Sequence, residues 1–201
     1  MAADPPPSLP GPAVAAGPAT MLELGAALGA DVWWCEQLFA VAGGWVPTTA
    51  EAGARAHVAE LSRVAGDHAQ ALRALLPRPA PVDPAAWVGP PSPDAEALVA
   101  VLAGVEGTAV RLAVAHRVLV TRLVVAWSAP LGPSALGVAR ALRHARTDLA
   151  ELRDTGETLL HALLAADPPL VEPVAAAVGR AEGALVAAGG LRPPPPPAPP
   201  T

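Results

Sequence analysis

The stretch that decides the fold is Pro77-Arg78-Pro79-Ala80-Pro81-Val82-Asp83-Pro84-Ala85-Ala86-Trp87-Val88-Gly89-Pro90-Pro91. Six prolines in fifteen residues exclude a helix, because each removes a backbone donor and clashes with the preceding turn. Extended, fifteen residues reach about 50 Å, whereas a 28-residue helix is about 42 Å long. The link can therefore travel the length of a helical domain. The helix that follows would then start at the same end as the helix before it and run parallel to it.

On either side of this link the sequence reads as long helices. The first is expected over 21–42, with Thr20 and Glu23 at capping-box spacing and Gly43-Gly44 as its stop. The second is expected over 49–76, after Pro47, with Thr48 and Glu51 as another capping box. The third is expected from Pro93, behind Ser92, to Trp127, and the fourth over 134–166. A shorter fifth helix follows Asp167 and Pro168 and stops at Gly189-Gly190. Each of the four long segments carries one apolar stripe at 3-4 spacing. On the third it is Leu98, Leu102, Val105, Ala109, Leu112, His116, Leu119 and Leu123. One stripe per helix implies one shared core, and no alternating strand pattern competes with it. The predicted fold is all-α: a four-helix bundle with a long crossover between helices 2 and 3 and a short fifth helix.

Composition narrows the functions. The chain has 201 residues, 26 prolines, 18 glycines and 48 alanines, and no lysine, asparagine, isoleucine or tyrosine. All the missing residue types have A/T-rich codons, so the bias reflects a GC-rich genome and not a function. The net charge of −5 argues against a nucleic-acid partner. One cysteine excludes a disulfide scaffold and a multi-cysteine zinc site. Mean hydropathy is high at +0.39, but Arg117 and Arg122 interrupt the best apolar run. The uncharged N-terminal residues hold prolines and no basic flank, unlike a signal peptide. A cytoplasmic protein without membrane span is expected, with Pro-rich tails over 1–19 and 191–201 around a domain over 20–190.

The four long helices, the crossover and acids at matching depths resemble the ferritin-like superfamily over about residues 20–166. The stretch Val32-Trp33-Trp34-Cys35-Glu36-Gln37-Leu38-Phe39, followed by Gly43-Gly44-Trp45-Val46 and a His-bearing second helix, is similar to uncharacterised actinobacterial ferritin-like proteins. The resemblance implies a di-iron site, with a Glu on each of two helices and Glu-x-x-His on the other two. Here it would draw on Glu36, His57, Glu60, Glu106, Glu157 and His161, with iron as cofactor. The motif departs from the pattern: Arg63 stands three residues after Glu60, the spacing present is His57-x-x-Glu60, and Glu157 and His161 are four apart. Three of these acids also sit about 100° from their stripes, on the helix flanks, where Arg63, Arg111 and Arg153 could pair with them. A degenerate site, and so no cofactor, is the expectation.

Other residues point inward. His68 and His116 lie on the central lines of helices 2 and 3, at similar depths, so parallel helices would set them side by side. Cys35 is central on helix 1 and reads as a small buried hydrophobe; a Cys35–His57 nucleophile with Glu36 is the catalytic alternative. His144–Asp148 and Glu157–His161 read as surface i,i+4 pairs. Trp33 and Trp34 point to opposite sides of helix 1, so one should be covered by the crossover, the fifth helix or a second subunit, a route to a homodimer or a protein partner. Three functions remain open: a non-catalytic interaction or scaffold bundle, a di-iron oxidase or oxygenase, and a binder of a small ligand around His68 and His116.

Overall fold

A computed structural model describes residues 20–78, 83–128 and 135–192. The tails over 1–19 and 193–201, four residues of the crossover and the turn before the fourth predicted helix lie outside the described residues. Among the described residues the chain is all-helical, without strands. The helices are α1 (Met21–Trp45), α2 (Ala52–Arg73), α3 (Pro93–Ala103), α4, α5 (Leu136–Ala166) and α6 (Val171–Ala187). Helix α4 is continuous through Thr108–Ala113, a π-helical turn at Val114–Val120, and Thr121–Ala126. No helix among the described residues is long and apolar enough to cross a membrane.

Thr20 caps α1 as its sequence predicts. Its hydroxyl accepts from the Glu23 amide at 3.1 Å, and the Glu23 carboxylate accepts from the Thr20 amide at 2.9 Å. The expected stop at Gly43-Gly44 does not occur. Gly43 instead gives Ser62 of α2 room to approach, and the Ser62 hydroxyl donates to the Phe39 carbonyl at 2.8 Å. The helix continues to Trp45 and ends in a 3-10 turn containing Pro47. The second capping box is not formed either: the Thr48 and Thr49 hydroxyls donate back to the Trp45 carbonyl, and Glu51 itself precedes the first turn of α2. Contacts of Phe39 with Gly66 and of Glu36 with Arg73 make α1 and α2 antiparallel.

The third predicted helix is two helices. Gly104–Gly107 breaks it, with Gly107 at φ +84°, a conformation that disfavours any side chain. Helix α3 starts at the C-terminal end of α6, where the Ser92 hydroxyl donates to the Ala188 carbonyl at 2.8 Å, and packs back along α6. It therefore runs antiparallel to α6. Helix α4 runs parallel to α6: Ala109, Leu112 and Val174 share one apolar cluster near their starts, and Arg122 pairs with Glu182 further along. So α3 and α4 run in opposite directions, a helical hairpin.

Helix α5 opposes both α2 and α4. His68 lies by Asp148 and Gly53 by Leu159, while Arg117 pairs with Glu157 and Arg146 reaches Ser128. Helices α2 and α4 consequently point the same way. The connection between them is residues 74–107, and the passage back is made by α3, which runs against α2; the expectation that the proline-rich link spans the domain and the next helix runs parallel to α2 does not hold. Trp87 lies against the first turns of α1, where Gly25 and Gly29 make room for it. A Cβ on Gly25 would meet the Trp87 ring at 2.9 Å, and one on Gly29 would collide with the Trp87 carbonyl. The indole donates to the Pro77 carbonyl at 3.2 Å.

Most of the apolar residues form one core around Trp34, Leu38, Leu61, Leu98, Leu123 and Leu149. A smaller cluster of Ala54, Val58, Ala109, Leu112, Leu160 and Val174 closes the end where α2, α4 and α6 begin and α5 finishes.

Candidate functional site

Two histidines meet in the interior. His57 comes from the second turn of α2 and His116 from the π-helical turn of α4. Their Nε2 atoms are 2.9 Å apart, and the ring centroids 4.9 Å at a tilt of 46°. The π turn widens the helix by one residue and leaves the His116 carbonyl a partner outside the regular ladder, the Thr121 hydroxyl, which donates to it at 2.7 Å. On the third side stands Gly156 of α5; any Cβ there would collide with the His116 ring.

Burial sets the protonation of the pair. His116 is 0% exposed and His57 6%. Removal from water disfavours an imidazolium, and it pushes His116 down to about 3, with His57 and Arg153 acting in the same direction. His57 is lowered too, by burial, with the Glu60 charge opposing. Both rings are neutral near pH 7. A histidine held below its ordinary value contributes stability that is full above about pH 6.5 and is lost as pH falls toward its folded value.

This is not the pair expected from the sequence. His68 is not beside His116; it sits 3.0 Å from Asp148 of α5, with its pKa lowered by burial against the pull of that carboxylate. Asp148 is thereby engaged across helices and not with His144. The error follows from reading α3 and α4 as one rod, which counts depth from the wrong start.

The six candidate metal ligands do not converge. The Glu36 carboxylate is bound by Arg73. Glu60 accepts two hydrogen bonds from Arg63, at 2.6 and 2.9 Å, which hold its carboxyl below the ordinary range. Glu106 is exposed in the turn between α3 and α4. Glu157 accepts from both Nε and Nη2 of Arg117, at 2.8–3.2 Å, and His161 lies 3.6 Å from it at the surface. His57 uses its Nε2 on His116. Among the described residues no group of three His, Cys, Asp or Glu side chains is placed to hold a metal ion. The donor set does not fit two irons: three of its four carboxylates are neutralised by arginine, Glu106 stands exposed in a turn away from them, and its one buried imidazole nitrogen already has a partner.

Cys35 is buried, and burial together with the Asp31 and Glu36 charges pushes its thiol up, away from the reactive thiolate. Trp33 and Trp34 are also both buried, 8% and 0% exposed, so they offer no surface to a second subunit. The cover is the chain's own C-terminal end. The Trp34 indole donates to the Leu191 carbonyl at 2.7 Å, and Arg192 binds the Asp31 carboxylate at 2.8 and 3.3 Å. Leu191 and Arg192 thus belong to the folded domain, although the sequence places them in the tail. Asp31 is nearly inaccessible, and burial raises its pKa despite Arg192 and the nearby Trp127 indole. An aspartate inside an apolar stretch and a single arginine before a proline run were the available signals for this clasp.

Compared with known proteins, the chain matches no family model, no curated protein and no solved structure.

Proposed function

We propose that this chain is a cytoplasmic, non-catalytic helical bundle of ferritin-like type that works as an interaction or scaffold module. The observation that carries this reading is the fate of the acids. Glu36, Glu60 and Glu157, three carboxylates that a di-iron centre would need, are each engaged by an arginine. A carboxylate so neutralised is a poor bridge between cations. The shared direction of α2 and α4, joined by a long connection, supports the ferritin-like kinship. The buried pair leaves a small ligand little room, because Gly156 backs directly onto the His116 ring. The surface offered to a partner is a groove of about 500 Å³ between α4 and α6, with Val125 and Val186 exposed along it and the Arg122–Glu182 ion pair across it.

Metal analysis of protein purified aerobically from iron-supplemented cells tests this reading. The expected result is iron far below one atom per chain, unchanged in the Glu60→Ala and Glu157→Ala variants. About two irons per chain, lost with either substitution, would establish the di-iron alternative.

A further inference from the structure

Building on the reading of the chain as an interaction module, we propose that its partner is a second copy of itself, docked end to end through the face at which α1, α3 and α5 begin and α2, α4 and α6 finish. The exposed apolar side chains gather at this face. Met21, Leu22, Leu75, Val125, Leu136 and Val186 are 37–76% exposed, and each lies within about a turn of it. Of the other large apolar residues left exposed among the described ones, Phe39 packs on Gly66 and Val171 lies at the opposite end. Apolar side chains scattered singly over a surface are ordinary, whereas six on one end of a bundle mark an interface. Six helices about 10 Å apart in a ring present an end of about 700 Å², close to what one partner contributes to a standard stable interface.

Charge identifies what covers the face. The helices form a closed ring, in which α1 packs on α2 and α3, α5 on α2 and α4, and α6 on α3 and α4. Helices α5 and α3 therefore stand across the ring from each other. Arg140 and Arg143 are exposed near the start of α5 and Arg78 just past α2, none of them in an ion pair among the described residues. Asp94 and Glu96 are exposed on the first turn of α3, equally without an ion pair. The other charges of the face are engaged: Glu23 caps α1, Asp83 caps the turn that carries Trp87, Arg122 holds Glu182, Arg192 holds Asp31, and Arg146 reaches Ser128. A two-fold axis lying in the face, between α1 and α2 on one side and between α4 and α6 on the other, sets α5 of each copy over α3 of the other. The same rotation sets Met21 and Leu22 over Leu75, and Val125 over Val186. One operation thus matches base to acid and apolar to apolar at every helix. An anionic membrane or an acidic peptide would meet Asp94 and Glu96 as well as the arginines, so neither complements the face as a second copy does.

Sedimentation equilibrium of the full-length protein tests the interface. The expected result is a dimer with a dissociation constant of about 10 μM, the weak end of the range for an interface of this size. Leu136→Glu with Val186→Glu should be monomeric at about 100 μM with an unchanged thermal midpoint, because both side chains are largely exposed. Val171→Glu, at the opposite end, should dimerise as the wild type does. Arg140→Glu should weaken association about tenfold, and adding Asp94→Arg should restore most of it. A wild type that stays monomeric at about 100 μM, a doubly substituted Glu variant that still dimerises, or charge reversals whose effects add instead of cancelling would overturn the interface. Binding of a monomer to phosphatidylcholine vesicles containing phosphatidylserine would overturn it too, and would assign the face to a membrane. Iron content of the same samples judges the scaffold reading separately: iron-free monomers would end the dimer alone, whereas about two irons per chain would end the scaffold reading whatever the mass.

Discussion

Gly156 determines how closely α5 approaches α4, because the space a methyl group would take is filled by the His116 ring. The ring cannot swing away without losing its partner on His57. Gly156→Ala should therefore destabilise the protein by about 2 kcal/mol, seen as an earlier urea midpoint, well beyond any gain in helix propensity. Arg192 is the other residue on which much depends. Without it the Asp31 carboxylate is buried and unpaired, a cost of about 3 kcal/mol for Arg192→Ala at neutral pH. The sign with pH is fixed by the raised pKa of Asp31: the stability linked to its proton is full below the ordinary carboxylate value and is lost as pH rises through the folded one. Arg192→Ala should therefore cost more at pH 8 than at pH 4, and urea titrations at the two pH values would show the difference. At this scale the sequence was partly legible. Arg63 does neutralise Glu60. Glu157, however, takes Arg117 from another helix, while Arg153 turns to Asp154 and Arg111 donates to the Val105 carbonyl. Spacing along one helix says nothing about partners that only packing supplies.

Among the elements, α1, α5 and the fifth predicted helix were legible in kind and approximate extent from caps, prolines and stripes, although α1 runs past the Gly43-Gly44 pair read as its stop. The third predicted helix was not. Its stripe runs unbroken through Gly104 and Gly107, since both arms of a helical hairpin face the same core, and a turn of four residues preserves the 3-4 rhythm. A glycine inside a periodic segment is ordinarily tolerated, so nothing local marked the reversal. The φ of +84° at Gly107 is what makes the turn possible. Gly107→Ala should cost about 1–2 kcal/mol by forcing a side chain into that conformation, measurable as a lower unfolding midpoint, whereas Gly137→Ala, in open space on α5, should not. The π turn adds a second slip, one residue that periodicity does not show, and His116 sits within it.

For the whole molecule, the reading of the crossover fails for the helix directly after the link: α3 starts at the end where α2 finishes and runs against α2, and only α4 shares the direction of α2. Trp87 of the proline-rich link is seated on Gly25 and Gly29 near the start of α1, the end at which α2 finishes, and it is α3 that makes the passage before α4 begins. Helices α2 and α4 point the same way with a different register, so that His57, and not His68, meets His116. The C-terminal clasp on Trp34 and Asp31 was invisible for a related reason: it joins residues about 160 positions apart, beyond the reach of any local pattern. Everything argued for the interior depends on this register, and the chain's five histidines offer a direct probe of it. Ring centroids 4.9 Å apart place imidazole protons within nuclear Overhauser range. A cross-peak between the His57 and His116 rings, with none between His68 and His116, is the predicted result. A cross-peak joining His68 to His116 would restore one continuous third helix and contradict the hairpin and the register together.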